Sequence, residues 1–336
     1  MTQLIVTLIV PKFKLRRTAM FMSALNGTQN LVLDRRKFLG VAASLIAAGV
    51  LPKNALALAG PYSFKQGAYD VTVVSDGTLI LPLSIVSPDA KPEDLTMLLR
   101  AMAHGDKVQF EASPLLLKSG SDVILMDTGS GGNFQPTAGK IAESLKAAGT
   151  DASAITKVIY THAHPDHCWG TLGADGKPIF ANASFHVAEA EWNFWVAPDL
   201  ANKMPKEMEG MVKGTQAQLA GIKEKVSMFK PGTEVLPGLM ALDTAGHTPG
   251  HVSFEMAGGD GLIITADAIM NPNVFFPHPD WKFGFDADHA MAIANRRKLL
   301  DMASAGKKKL LGYHWPYPGV GYAESKDGAY AYLAAA

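Results

Sequence analysis

Apolar positions recur along this chain with two periods, and the switches between them mark its elements. Residues 69–75 alternate apolar and polar as a half-buried strand does. The Asp76-Gly77 pair before Leu79-Ile80-Leu81 predicts a hairpin joining an opening antiparallel pair. After Pro92, the side chains Leu95, Leu98, Leu99 and Met102 fall at helical spacing. Residues 113–118 and 123–126 read as strands around a Ser-Gly-Ser-Asp turn. Residues 137–148 read as a helix with Ile141, Leu145 and Ala148 on one face, stopped by Gly149. The β-branched and aromatic run Val158-Ile159-Tyr160 predicts a buried strand, 185–187 another, and 189–195 a helix. Residues 198–232, rich in Lys, Met and Glu, read as a surface helical insertion. Strands are then expected to end near Thr244, to run over 251–256 and 262–265, and to occupy 308–313, with Asp288 capping a helix through Leu300. Strands alternating with helices and hairpins predict mixed sheets covered by helices, with no repeat at solenoid period.

The polar residues that interrupt this pattern carry the chemistry. Directly after the 158–160 strand, Thr161-His162-Ala163-His164-Pro165-Asp166-His167-Cys168 places three imidazoles and a carboxylate within six positions. Unpartnered polar groups are costly to bury, so this density asks for a metal. In extended backbone, residues two apart point the same way, which lets His162 and His164 reach one ion. Pro165 ends that geometry and turns Asp166 and His167 toward a neighbouring point. Three more strand ends present ligand types: His247 in Gly-His-Thr-Pro-Gly-His, Asp267 and His314. His251 is placed to orient the His247 loop from behind. The glycine-rich Asp127-Thr128-Gly129-Ser130-Gly131-Gly132 lacks the spacing of a phosphate loop or a dinucleotide fingerprint, and reads as a tight turn near the metal floor.

Composition bounds the rest. The chain has 336 residues, 48% of them hydrophobic, enough for one large domain. Its only cysteine is Cys168, so no intramolecular disulfide can form, and beside His167 it reads as a small buried side chain. Residues 1–59 carry eight Lys/Arg against Asp34 alone; taking these from the totals of 31 and 31 leaves 23 basic and 30 acidic residues in the body. A mildly acidic body gives no support for nucleic-acid binding. Within the leader, Asp34-Arg35-Arg36-Lys37-Phe38-Leu39-Gly40 forms a twin-arginine pattern, followed by an apolar stretch and small-residue cleavage candidates near Ala57 and Ala59. The expected organisation is a cleaved export leader over 1–59, engaging the twin-arginine export machinery, and a single periplasmic or exported domain over 60–336.

His-Ala-His-Pro-Asp-His at 162–167, followed in order by His247, Asp267 and His314, resembles the signature of the metallo-β-lactamase superfamily, over nearly all of residues 65–335. The resemblance implies an α+β fold, the four-layer αββα sandwich, with a binuclear centre at one rim. It implies that His162, His164 and His247 hold one metal, that Asp166, His167 and His314 hold a second, and that Asp267 bridges them. Five imidazoles and two carboxylates suit two divalent ions, zinc first, with iron, manganese or cobalt as other occupants. The implied activity is hydrolysis of small hydrophobic esters or lactones by a metal-activated water, with Asp166 and Asp267 in the catalytic group. Within the superfamily, segments such as Ser75-Asp76-Gly77-Thr78, Phe134 before Pro136 and Phe194-Trp195 look most like methyl parathion hydrolase and its lactonase and arylesterase relatives. That likeness makes phosphotriester hydrolysis the leading alternative and places Phe134 and Trp195 as aromatic walls for a small hydrophobic substrate. A mononuclear iron oxidoreductase on the same fold is a more distant alternative. Met270 stands where acyl homoserine lactonases carry a tyrosine, three positions after the bridging aspartate. The resemblance also implies a homodimer. The aromatic loop with Phe275, Phe276, Trp281, Phe283 and Phe285 reads as a packed lid or dimer contact.

Overall fold

The computed structural model describes residues 60–335; the leader expected over 1–59 lies outside the described residues. In chain order the strands are β1 (Tyr62–Gln66), β2 (Tyr69–Val73), β3 (Gly77–Pro82), β4 (Ala103–His104), β5 (Lys107–Ala112), β6 (Leu115–Ser119), β7 (Asp122–Met126), β8 (Lys157–Ile159), β9 (Ser184–Ala188) and β10 (Val226–Phe229). They continue as β11 (Glu234–Leu236), β12 (Leu239–Asp243), β13 (Val252–Met256), β14 (Leu262–Ile264), β15 (Lys309–Leu311), β16 (Val320–Lys326) and β17 (Ala329–Ala334). Seven form one sheet in the order β1-β2-β6-β7-β8-β9-β10. Seven form a second, β11-β12-β13-β14-β15-β16-β17, and β3-β5-β4 make a small third sheet. Both large sheets are mixed: β7-β8-β9-β10 and β14-β15 pair in parallel, the rest antiparallel.

The two large sheets meet through a core of alternating residues. Val71, Leu115, Leu117, Ile124, Met126 and Ile159 from one face Leu239, Ala241, Val252, Phe254, Leu262 and Ile264 from the other. The helices Ile141–Ala147, Glu189–Trp195 and Glu209–Ala220 cover the outside of the first sheet through Ile141, Leu145, Trp195, Val212 and Leu219. Pro92–Leu99, Pro272–Phe275 and the long helix His289–Gly306 cover the second. The outcome is the expected four-layer αββα sandwich. Asp288 caps the long helix as anticipated, its carboxylate accepting from the Met291 N–H at 3.0 Å.

Three expectations change. Asp76-Gly77 is not a hairpin turn: β2 pairs with β1 and β6, while β3 leaves to pair with β5 in the small sheet. Gly77, at φ +100°, marks this change of sheet, and a Cβ there would lie 2.2 Å from the Thr137 carbonyl. The 198–232 stretch is not merely a surface insertion. Its helix Glu209–Ala220 buries Val212, Thr215 and Leu219, and it ends in an edge strand, β10. The helix expected over 137–148 begins only at Ile141, where the Gly139 and Ile141 N–H groups both donate to the buried Asp76 carboxylate and fix the start of the helix.

Candidate metal centre

All seven expected ligands converge where β8, β14 and β15 end. β8 delivers Thr161 and His162 in extended backbone. His164 then stands at the N-cap of a one-turn helix, Pro165–Cys168, whose Pro at the first position halts the strand and whose turn carries Asp166 and His167. His247 comes from the loop after β12, Asp267 from a 3₁₀ turn after β14, and His314 from just beyond β15. Two groups result: His162, His164 and His247, and Asp166, His167, Asp267 and His314, with the ligand atoms in each group within 4.8 Å of one another. In the first, His164 Nδ1 lies 3.1 Å from His162 Nε2 and 2.9 Å from His247 Nε2. In the second, Asp166 Oδ2 lies 3.4 Å from His167 Nε2 and 3.2 Å from His314 Nε2. Asp267 stands between: Oδ2 is 3.4 Å from His247 Nε2 and 3.3 Å from His314 Nε2, and Oδ1 is 3.3 Å from His167 Nε2.

These donors fit divalent cations. Four imidazoles aim Nε2 and one aims Nδ1 inward, and two carboxylates complete a borderline nitrogen and oxygen set. His167 Nε2 and Asp267 Oδ1 are buried without a hydrogen-bond partner, an arrangement costly to keep unless a cation serves both. The outward nitrogens are tied down. His167 Nδ1 bonds Asp127 Oδ2 at 2.8 Å, His247 Nδ1 bonds Asp286 Oδ1 at 3.0 Å, and His314 Nδ1 donates to the Glu111 carbonyl at 2.7 Å. Each bond leaves the opposite nitrogen free to ligate and fixes the ring plane. Asp127 is held in turn by the Thr161 N–H and hydroxyl, both at 2.8 Å.

Burial and charge act differently on the two groups. Burial, with His167 next in weight, pushes His162 well below its ordinary pKa, and burial with His247 carries His164 down to about 3. Burial would depress His314 as well, but Asp267 and Asp166 outweigh it and hold that ring up to about 9. His167 is likewise held well above its ordinary value against burial by Asp267, Asp166 and Asp127. Asp166 and Asp267 lie well below the carboxylate range, because the imidazolium neighbours overcome the cost of burying them.

The supporting residues take places the sequence pointed to only in part. His251 sits behind the centre and ties two ligand segments together: its Nε2 accepts from the Asp267 N–H at 3.2 Å, while Nδ1 meets Thr244 Oγ1 at 2.9 Å and its own N–H donates to the Thr248 carbonyl, both in the loop that carries His247. Phe134 is half-buried, packs among Leu79, Ala112, Ala138 and Tyr313, the neighbour of His314, and meets Trp169 edge-on at 5.8 Å. Trp195 corrects its expected role as a wall. The indole is 1% exposed, edge-on to His164 at 5.8 Å, and so backs that imidazole from inside the protein. Cys168 is buried and its thiol bonds the Ala163 carbonyl; burial pushes its pKa far up, consistent with a packing role. Phe275, Phe276 and Phe283 of the aromatic loop are core residues, and Phe283 stacks on His247 at 5.8 Å. Sequence reasoning missed Asp127 as a side-chain partner, Asp286, and Arg296, which is buried and bonds Asp286 Oδ2 at 3.3 Å together with the Ala268, Pro279 and Trp281 carbonyls. The Asp-Thr-Gly turn was the available signal for the first of these.

Comparisons with known proteins bear on the fold that carries these residues. A sequence model described as the metallo-beta-lactamase superfamily matches residues 110–314. An N-acyl homoserine lactonase from Bacillus sp is 27% identical over 165 residues, 48% of this chain and 58% of the relative. The uncharacterized protein YobT of Bacillus subtilis (strain 168) is 24% identical over 161 residues, 48% and 63% of the two chains. The matched stretch thus spans about three-fifths of the length of these curated relatives. Among solved structures, AidC, a dizinc quorum-quenching lactonase in complex with its product, is similar with a TM-score of 0.77 at 27% identity over 83% of this chain and 98% of that one. The hydrolase AbOPH gives 0.77 at 28% over the same shares.

Proposed function

The chain belongs to the metallo-beta-lactamase superfamily, and from that premise we propose that it is an exported, binuclear metal-dependent hydrolase of small hydrophobic esters or lactones. One observation supports the reading: Asp267 stands within 3.4 Å of His247, His167 and His314 together, so a single carboxylate lies within reach of both ligand groups. His162, His164 and His247 would hold one ion, Asp166, His167 and His314 the other, with Asp267 shared. Zinc is the preferred metal on donor chemistry. When bound, such ions supply Lewis acidity toward a carbonyl or phosphoryl oxygen and activate water at neutral pH.

The chain's own residues do the rest. Asp127, Asp286 and the Glu111 carbonyl keep three imidazoles in the tautomer and orientation that ligation needs. Tyr313 donates its hydroxyl to the Asp166 carbonyl at 2.7 Å and lays its ring 4.0 Å from His167, fixing the turn that carries both. Asp166 is the more accessible of the two carboxylates, with 11% of its side chain exposed against 5% for Asp267, and so is placed to pass a proton to a leaving group. Phe134 and Trp169 offer an apolar, aromatic flank that favours uncharged substrates over nucleotides. Because AidC and the Bacillus sp relative bear the name lactonase, lactones head the substrate series, with activated carboxyl esters beside them. The twin-arginine pattern at 34–40 supports export of a protein folded beforehand.

Metal content per chain, measured with turnover of dihydrocoumarin, p-nitrophenyl acetate, an acyl homoserine lactone and methyl paraoxon, tests the proposal. A zinc pair with ester or lactone turnover is the expected result. Faster paraoxon turnover would move the substrate class to phosphotriesters. A single iron without hydrolysis would overturn the reading in favour of an oxidoreductase.

A further inference from the structure

Glu191 is wholly buried, at 0% exposure, and no lysine or arginine is among its partners. It lies in the first turn of the helix Glu189–Trp195, where a glutamate commonly reaches back to its own helix start. Here it turns to two neighbouring loops instead. Oε1 accepts from the Ala163 N–H at 2.8 Å and the Trp195 indole N–H at 2.7 Å. Oε2 accepts from the Thr248 hydroxyl at 2.6 Å and the Gly250 N–H at 3.0 Å. Burial pushes this carboxyl above its ordinary pKa, but four donors occupy both oxygens and bond the ionised form.

The four partners are informative by position. Ala163 sits between His162 and His164, Thr248 directly follows His247, and the Trp195 ring backs His164. One carboxylate therefore touches the backbone or support of all three imidazoles in the first ligand group. The Ala163 peptide is held from the other side as well, its carbonyl accepting from Thr215 Oγ1 at 3.2 Å. Gly250 makes the contact close: a Cβ there would lie 2.0 Å from the Glu191 nitrogen.

We propose that Glu191 is the positioning residue of the His162, His164 and His247 group, fixing the spacing of the two histidine loops and placing a carboxylate behind the cation site those imidazoles would form. The proposal rests on the binuclear reading above. A buried carboxylate with no cationic side-chain partner is costly unless a positive charge lies near.

The test titrates chelator-stripped protein with cobalt(II), reading visible absorption and competition with a chromophoric chelator. His162→Ala identifies which affinity class belongs to the first group. Glu191→Gln keeps the size of the side chain but removes its charge and two acceptor sites; it is expected to loosen that class by about 10- to 100-fold and leave the other unchanged. Thr248→Val keeps the charge and removes one donor, so a smaller loosening of the same class is expected, and it decides the matter if the glutamine variant does not fold. A lower melting temperature of the metal-free protein with both cobalt affinities unchanged would mean ordinary structural support and overturn the proposal. If the wild type binds a single ion, the binuclear reading fails, while the role of Glu191 is still decided by whether that ion is loosened.

Discussion

The group His162, His164 and His247 and the group Asp166, His167, Asp267 and His314 lie side by side, yet their surroundings prepare them for a cation in opposite ways. In the first, burial keeps His162 and His164 neutral, with His164 down to about 3. In the second, carboxylates hold His167 and His314 protonated, so the metal-free group balances its own charge. Behind the first group stand two buried carboxylates, Glu191 and Asp286. The second carries its anions within and would release protons on taking up a cation. Affinity in the second group should therefore fall as pH drops from about 9.

The largest expected effect removes what the two groups share. Asp267→Ala takes an oxygen from within 3.4 Å of ligands in both groups, so turnover should fall to the uncatalysed background and metal content should drop. Full metal content with retained turnover would show that the groups act separately and that the shared carboxylate is dispensable.

Next in size is a change behind the first group. Arg296 is 1% exposed and holds Asp286, the Ala268 carbonyl next to Asp267, and two carbonyls of the aromatic loop; its guanidinium also lies 4.2 Å over the Phe275 ring. Arg296→Met leaves Asp286 as an unpaired buried charge and should cost about 3–5 kcal/mol by urea unfolding. A loss below about 1 kcal/mol would mean that His247 alone satisfies Asp286.

Smaller is a pH effect that belongs to the second group. His314 is held up to about 9 against an unfolded value near 6.5. A raised imidazole pKa contributes stability that is full below the unfolded value and is lost as pH climbs through the folded one, with an upper bound of about 3 kcal/mol here. The melting temperature of chelator-treated protein should thus fall between about pH 6.5 and pH 9, and His314→Gln should flatten that fall. Equal slopes in the two proteins would contradict the assignment.

What sequence revealed follows the same division. The second group's Asp166 and His167 announce themselves because they sit in one turn with His162 and His164. His247, Asp267 and His314 were legible as polar residues at the ends of apolar strands, and most strands and the Asp288 cap followed from periodicity. The supports were not legible. Three of the four partners of Glu191 lie 28 to 59 positions away, and Asp286 reaches His247 across 39, distances at which no local period operates. Glu191 also sits where a helix-start glutamate would be expected for purely local reasons. The change of sheet at Gly77 was read as a hairpin because local turn chemistry is the same whether the next strand returns or leaves. Trp195 was assigned to a pocket by resemblance, which transfers position in sequence but not exposure.

The smallest effect tests how the shared carboxylate is aimed. Ala266, just before Asp267, has φ +45°, a left-handed conformation that costs a residue with a Cβ about 1–2 kcal/mol. Asp127, which holds His167, is also left-handed at φ +62°, but aspartate tolerates that region better than alanine. Ala268 lies in the same 3₁₀ turn, equally buried and without a positive φ, and so serves as an internal control. Alanine to glycine at 268 loses a buried methyl and adds chain freedom to the unfolded state, together about 1.5 kcal/mol. At 266 the same losses are offset by relief of strain, so Ala266→Gly should stay within about 0.5 kcal/mol of the wild type in urea unfolding. Equal destabilisation at both positions would show that the left-handed turn stores no strain. The orientation of Asp267 would then rest on the His251 contact alone.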